Sequence, residues 1–181
     1  MSETSFLAAG MEYLAKSQDL RGTIERLVRL AANACGTDMG SLYLLDPTDN
    51  YLRPFALVNL PLEYTAGCSA VALGEQCCGR AALHKMPWSV EDMRTDPLFS
   101  ACRDAAAEAG IRAGFSVPVL DEDGDVLGTL ASHFREPYRP DVYALERSRL
   151  FAQLIALALV RYRTNNLPSQ AATLANQAAA D

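Results

Sequence analysis

The spacing of apolar positions divides the chain into three zones. Over residues 3–35, Leu7, Met11 and Leu14 recur at i, i+4 and i+7, and Leu20, Ile24, Leu27 and Ala31 repeat that period after a break. The period predicts two helices. The break at "SQDLRG" offers Ser17 or Asp19 as N-cap of the second, and Gly36 stands where a C′ glycine would close it.

Between about residues 38 and 135 the period shortens. "MGSLYLLD" and "YLRPFALVN", separated by the turn cluster "PTDN", predict one β-hairpin. "IRAGFSVPVL" and "DVLGTLASHF" flank "DEDG" and predict another. Between the hairpins lie "SAVALG", "GEQCCGRAALHKMPW" and a short helix, "LFSACRDAAAEAG", closed by Gly110. Hairpins separated by helical excursions predict an antiparallel sheet in an α+β domain.

The third zone is a helix from about Asp141 to Arg163. Leu150, Leu154 and Leu157 run beside Phe151, Ile155, Ala158 and Tyr162, a wider apolar face than one sheet contact requires. We read one side of it against the sheet and the other against a second subunit. The expected division is a helical linker at 1–19, one domain at 20–163, and a linker or tail at 164–181, where the composition turns to Ala, Asn and Gln.

Composition narrows the function classes. Half of the 181 residues are hydrophobic, enough to bury a sizeable core, and the net charge of −6 argues against nucleic-acid binding. No apolar run reaches the roughly 18–20 residues that span a bilayer, and the first residues lack the pattern of a signal peptide. The expectation is a cytoplasmic protein without membrane contact by this segment.

The five cysteines, at 35, 68, 77, 78 and 102, form no CxxC pair, so neither a disulfide framework nor a zinc signature is written here. If 77–85 is helical, Cys77 and His84 lie about 10 Å apart along the axis, too far for one metal ion. Cys78, Ala81 and Ala82 read as a small apolar stripe for close helix packing. Cys77 and Cys78 sit where a helix would begin, a place that lowers a thiol pKa and allows modest reactivity. Cys35, Cys68 and Cys102 read as small core hydrophobes. No GxSxG, HExxH or P-loop is present. His84 falls near a helix end. His133, alternating with Ser132 and Phe134 on a strand, reads first as a half-buried strand histidine, with a ligand contact and then an axial haem ligand as the alternatives. Asp92 and Asp96 flank a turn before Pro97, where Asp caps or forms Asx-turns.

The order of elements resembles a GAF domain of the kind found in bacterial sensor histidine kinases and cyclic-di-GMP enzymes. The matching residues are Cys78-Gly79, Val90 with Asp92, Asp96-Pro97, Gly110, Ser116 with Pro118 and Val119, Asp123-Gly124, and Leu127-Gly128-Thr129, with "GSLYLLD" and "LPLEYTAG" in the first half. The resemblance spans about residues 20–163. It implies an antiparallel sheet with the terminal helices on one face and a pocket, closed by short helices and loops, on the other.

Cys77, Cys78, Trp88, Asp92, Phe99, Phe115 and His133 are then expected to line that pocket. The implied role is a non-catalytic sensory domain of a two-component or cyclic-di-GMP signalling protein. It would bind an unidentified small molecule and act as a homodimer through its terminal helices. A ligand-free dimerisation relay and a thiol-dependent enzyme on the same fold are the alternatives. Several departures leave cofactor and ligand open. Gln76-Cys77 replaces the Gly-Ser of the family loop, and the Asn-Lys…Phe…Asp-Glu motif of cyclic-nucleotide-binding members is missing. So is the Cys-His pair of bilin-attaching members. The cysteine set does not clearly match that of free-methionine-sulfoxide reductases, which share the fold.

Overall fold

The computed structural model describes residues 3–17, 19–99 and 102–166. The elements run α1 (Glu3–Lys16), α2 (Leu20–Ala34), β1 (Met39–Asp46), β2 (Tyr51–Val58), α3 (Leu62–Gly67), β3 (Val71–Ala72), α4 (Gln76–His84), β4 (Trp88–Val90), a 3-10 turn at Pro97–Phe99, α5 (Arg103–Glu108), β5 (Ala113–Leu120), β6 (Val126–Phe134) and α6 (Val142–Asn166). The six strands form one antiparallel sheet in the order β3-β2-β1-β6-β5-β4. Both expected hairpins are present, β1–β2 and β5–β6, and the two are joined through the β1–β6 pair. The chain has the α+β architecture that its patterning predicts.

The terminal helices cover one face. Asp19 rather than Ser17 caps α2: its carboxylate accepts the Gly22 N–H at 3.1 Å, an interaction that stabilises a helix by about 1 kcal/mol. Ile24, Leu27, Val28 and Ala31 of α2 are buried beneath Phe151, Ile155 and Ala158 of α6 and the sheet residues Leu42, Phe115 and Leu130. α6 begins one residue after Asp141, whose carboxylate accepts the Ala144 N–H at 2.7 Å. It continues to Asn166, while residues 167–181 of the expected tail lie outside the described residues. α1 packs on α2 and α6, with Leu14 in the shared core and its carbonyl accepting from the Arg161 guanidinium at 2.9 Å.

Three short helices, α3, α4 and α5, cover the opposite face. α4 lies hard against the edge of the sheet: a Cβ at Gly79 would stand 2.1 Å from the Ala72 carbonyl oxygen, so only glycine permits this contact. Beneath these helices a second cluster gathers Met39, Tyr64, Cys68, Cys77, Met93, Phe99 and Cys102.

Candidate functional site

The period-2 alternation of the central strands decides what faces the short helices. Ser41 and Tyr43 of β1, Gly114 and Ser116 of β5, and Ala131 and His133 of β6 point to that side, and pairing places them together: Ser41 opposite Ala131, Gly114 opposite His133. The residues between them, Leu42, Phe115, Val117, Leu130 and Phe134, enter the core beneath the terminal helices. Tyr64 and Cys68 of the α3 segment, Gln76, Cys77 and Cys78 of α4, and Met93 and Phe99 close the space from above. A partly open cavity of about 20 Å³ remains, close to the minimum that admits one water molecule.

Cys77, Cys78, Phe99, Phe115 and His133 border this cavity. His133 is buried, and its Nε2 lies 3.0 Å from the Ser41 hydroxyl. Its Nδ1 has no hydrogen-bond partner among the described residues. The Tyr64 ring meets it edge-on, 5.5 Å between centroids. Desolvation pushes its pKa down to about 4, so the imidazole is neutral at physiological pH.

Three candidates sit differently from the sequence expectation. Phe115 borders the cavity but turns its ring to the opposite face, where it stacks with Phe134 and Tyr138. Its neighbours Gly114 and Ser116 take the cavity side, and strand alternation sends Phe115 to the other. Trp88 is outside the cavity lining. Its ring lies along α4, stacked on His84 with centroids 5.5 Å apart and on the Arg80 guanidinium at 5.6 Å. Asp92 is also outside, ion-paired with Arg112 and accepting the Arg94 N–H at 3.1 Å. The Arg112 hydrogen bond leads in holding its pKa below the ordinary carboxylate value. Asp92 thus ties the loop after β4 to the start of β5.

The thiols also redistribute. Cys77 and Cys78 do begin a helix, but burial outweighs the helix N-terminus and pushes their pKa values up to about 11 and about 12. Cys77 donates its S–H to the Trp88 carbonyl at 3.1 Å. Cys35 is a core thiol against Ser148, as expected. Cys68 and Cys102 lie in the core, as read from the sequence, and there form a contacting pair with sulfurs 2.8 Å apart. Cys68 donates, which with burial pushes its own pKa up and draws that of Cys102 down, helped by Gln76. One thiol follows α3 and the other precedes α5, so the contact is made only by the packing of those helices. Their 34-residue separation carries no local motif. Ser41 and Ser116 were legible as polar residues on the inward side of apolar strands.

A model of the GAF domain family matches residues 19–159. The chain belongs to the GAF domain family. A methyl sulfide methyltransferase-associated sensor of Methanosarcina acetivorans is 26% identical over 151 residues, covering 82% of this chain and 15% of that protein. The chain therefore spans only a small part of that relative's length. Among solved structures, the free methionine-R-sulfoxide reductase of Neisseria meningitidis, in complex with its substrate, superposes with a TM-score of 0.75 at 20% identity, over 90% of this chain and 91% of the other. A domain of a two-component sensor histidine kinase protein from Sinorhizobium meliloti gives 0.68 at 18% identity, over 82% and 97%. At these identities the likeness is one of fold. No helix among the described residues of this GAF domain is long and apolar enough to cross a membrane, and none of their His, Cys, Asp and Glu side chains cluster in threes to hold a metal ion.

Proposed function

We propose that this GAF domain is a sensory and regulatory module of a longer signalling protein, non-catalytic in itself, that receives a small molecule in the cavity beneath α3–α5. The sensor relative from Methanosarcina and the histidine-kinase neighbour support that class. The observation that carries the reading is the back-to-back arrangement on β6. His133 faces the cavity, and the next residue, Phe134, faces the terminal helices and stacks on Tyr138 at 3.7 Å, just before α6. A ligand that favours one position of His133 biases that contiguous path, and it does so only by its differential affinity for the two arrangements.

The output side is α6. Tyr143, Leu150 and Leu157, spaced by seven, are 65%, 41% and 55% exposed, a heptad stripe suited to the same stripe on a second copy. The homodimer is part of the proposal. The test is native mass spectrometry on chain purified without added ligand, with identification of anything released on denaturation. A stoichiometric compound whose removal lowers Tm supports the reading. A chain whose Tm ignores metabolites but rises with protein concentration reduces the module to a dimerisation relay.

A second reading, thiol-dependent catalysis, is favoured by the Cys68–Cys102 contact and by the likeness to the Neisseria reductase. It ranks second because the described residues lining the cavity include no carboxylate, guanidinium or ammonium to pair with a zwitterionic amino acid. Multiple turnovers of free methionine sulfoxide with a dithiol reductant would put it first.

A further inference from the structure

We propose that Cys68 and Cys102 form an oxidant-responsive dithiol, and that the cavity beside them admits an uncharged hydroperoxide of the size of hydrogen peroxide. The inference rests on the reading of this cavity as the receiving site of a sensory domain, and it names the chemical class received.

Three observations converge. The Cys68 sulfur borders the cavity, and the Cys102 sulfur is 2.8 Å from it, about 0.8 Å beyond the covalent S–S length of ~2.05 Å. The cavity of about 20 Å³ takes a molecule little larger than water. Its described lining is neutral, with Ser41, Tyr43, Ser116 and His133 as the polar groups of the sheet floor, the Tyr43 hydroxyl already donating to the Cys68 carbonyl. A neutral guest with both a donor and an acceptor suits that floor; a charged one is excluded by desolvation. The unpartnered Nδ1 of His133 is the group such a guest would satisfy. A Cβ at Gly114 would lie 3.2 Å from the Met93 methyl and 3.5 Å from this Nδ1, so the groups around the nitrogen leave room only for glycine.

The chemistry balances with the peroxide as oxidant. Cys102 gives its proton to solvent and, as thiolate, takes the Cys68 proton along the sulfur–sulfur contact, while the Cys68 sulfur attacks the O–O bond. One oxygen stays on Cys68 as a sulfenic acid, and the other leaves as hydroxide and becomes water on taking the Cys102 proton. The Cys102 sulfur then displaces the Cys68 hydroxyl, which leaves as hydroxide and takes from solvent one proton, the equivalent of the one Cys102 gave up at the start. In sum two thiols lose two hydrogens and two electrons, and one peroxide becomes two waters. The product disulfide ties the end of α3, which roofs the cavity, to the start of α5. The signal is thereby written as a covalent bond on the roof.

The experiment treats the fully reduced 181-residue chain with one equivalent of hydrogen peroxide, then maps thiols by alkylation and peptide mass spectrometry. Loss of two of five thiols, with peptides joined Cys68 to Cys102, is expected. Cys68→Ser and Cys102→Ser should each abolish the crosslink, and Cys35→Ser should keep it. His133→Gln should slow the reaction about tenfold, the worth of one hydrogen bond to the guest, and cumene hydroperoxide should react at least tenfold more slowly than hydrogen peroxide. Unchanged thiols, oxidation at Cys77 or Cys78 instead, or equal rates for the two peroxides overturns the proposal. Its failure is separable from that of the sensory reading. A Cys68→Ser chain whose α6–α6 spacing, read by spin labels, still responds to a bound metabolite leaves a sensor without this dithiol. A disulfide that forms while the spacing stays fixed supports the dithiol and overturns the relay.

Discussion

The two faces of the sheet are built from different materials. Beneath the terminal helices, one cysteine, Cys35, stands among twenty-three buried residues, the rest aliphatic or phenylalanine. Beneath α3–α5, five of eleven are Met or Cys, and buried hydroxyls and an imidazole adjoin them. The aliphatic face packs by shape and gains stability from area. The sulfur face packs with soft, adaptable side chains and leaves a cavity with an unsatisfied nitrogen. In the proposed reading, stability and sensitivity belong to opposite sides of one set of strands. Three central strands serve both, because alternate residues of each belong to different faces.

The largest effect should come from the aliphatic face. Phe115→Ala is expected to cost about 3–5 kcal/mol, read by urea denaturation, with the Cys68–Cys102 contact unaffected in the folded fraction. Phe99→Ala on the cavity side should cost visibly less, because that ring already borders open space. Equal costs would erase the distinction between the faces.

Acid should act on the sulfur face next. His133 is neutral when folded, with a pKa of about 4, against an ordinary value of about 6.5 when unfolded. Below pH ~6.5 the unfolded chain takes up a proton that the folded chain refuses, so stability falls as pH drops from about 6.5 to about 4. The expected loss is about 3 kcal/mol over that window, and the wild-type-minus-His133→Gln difference in unfolding free energy isolates it. A pH-independent difference would mean that His133 is solvated.

A smaller effect is expected for Ser41→Ala, which strands His133 Nε2 as well as Nδ1. About 1–3 kcal/mol should be lost, measurable as a drop in Tm. The smallest stability change, within about 0.5 kcal/mol, should follow Leu157→Glu on the exposed stripe of α6. Its readout is the oligomeric state by light scattering, where the dimer should dissociate.

Periodicity made the two hairpins, the capped α2 and the long α6 legible, since each is a local pattern read against one core. Phe115 was expected in the pocket, against a signal already in the strand: Gly114 and Ser116 flank it, and alternation sends the ring to the other face. Cys77 and Cys78 drew notice because they adjoin each other, yet burial makes them poor thiolates. The pair that meets, Cys68 and Cys102, lies at the ends of two short helices whose docking no local spacing encodes. Trp88 was named for its chemistry, but its place on the flank of α4 follows from the stack on Arg80 and His84, which depends on where α4 crosses β4.

The outermost strands are short, two residues in β3 and three in β4. Past Leu52 the outer side of β2 pairs with no described strand. There Arg53 sets a charge and Pro54 lacks a backbone donor, two devices that discourage a foreign strand from extending the sheet.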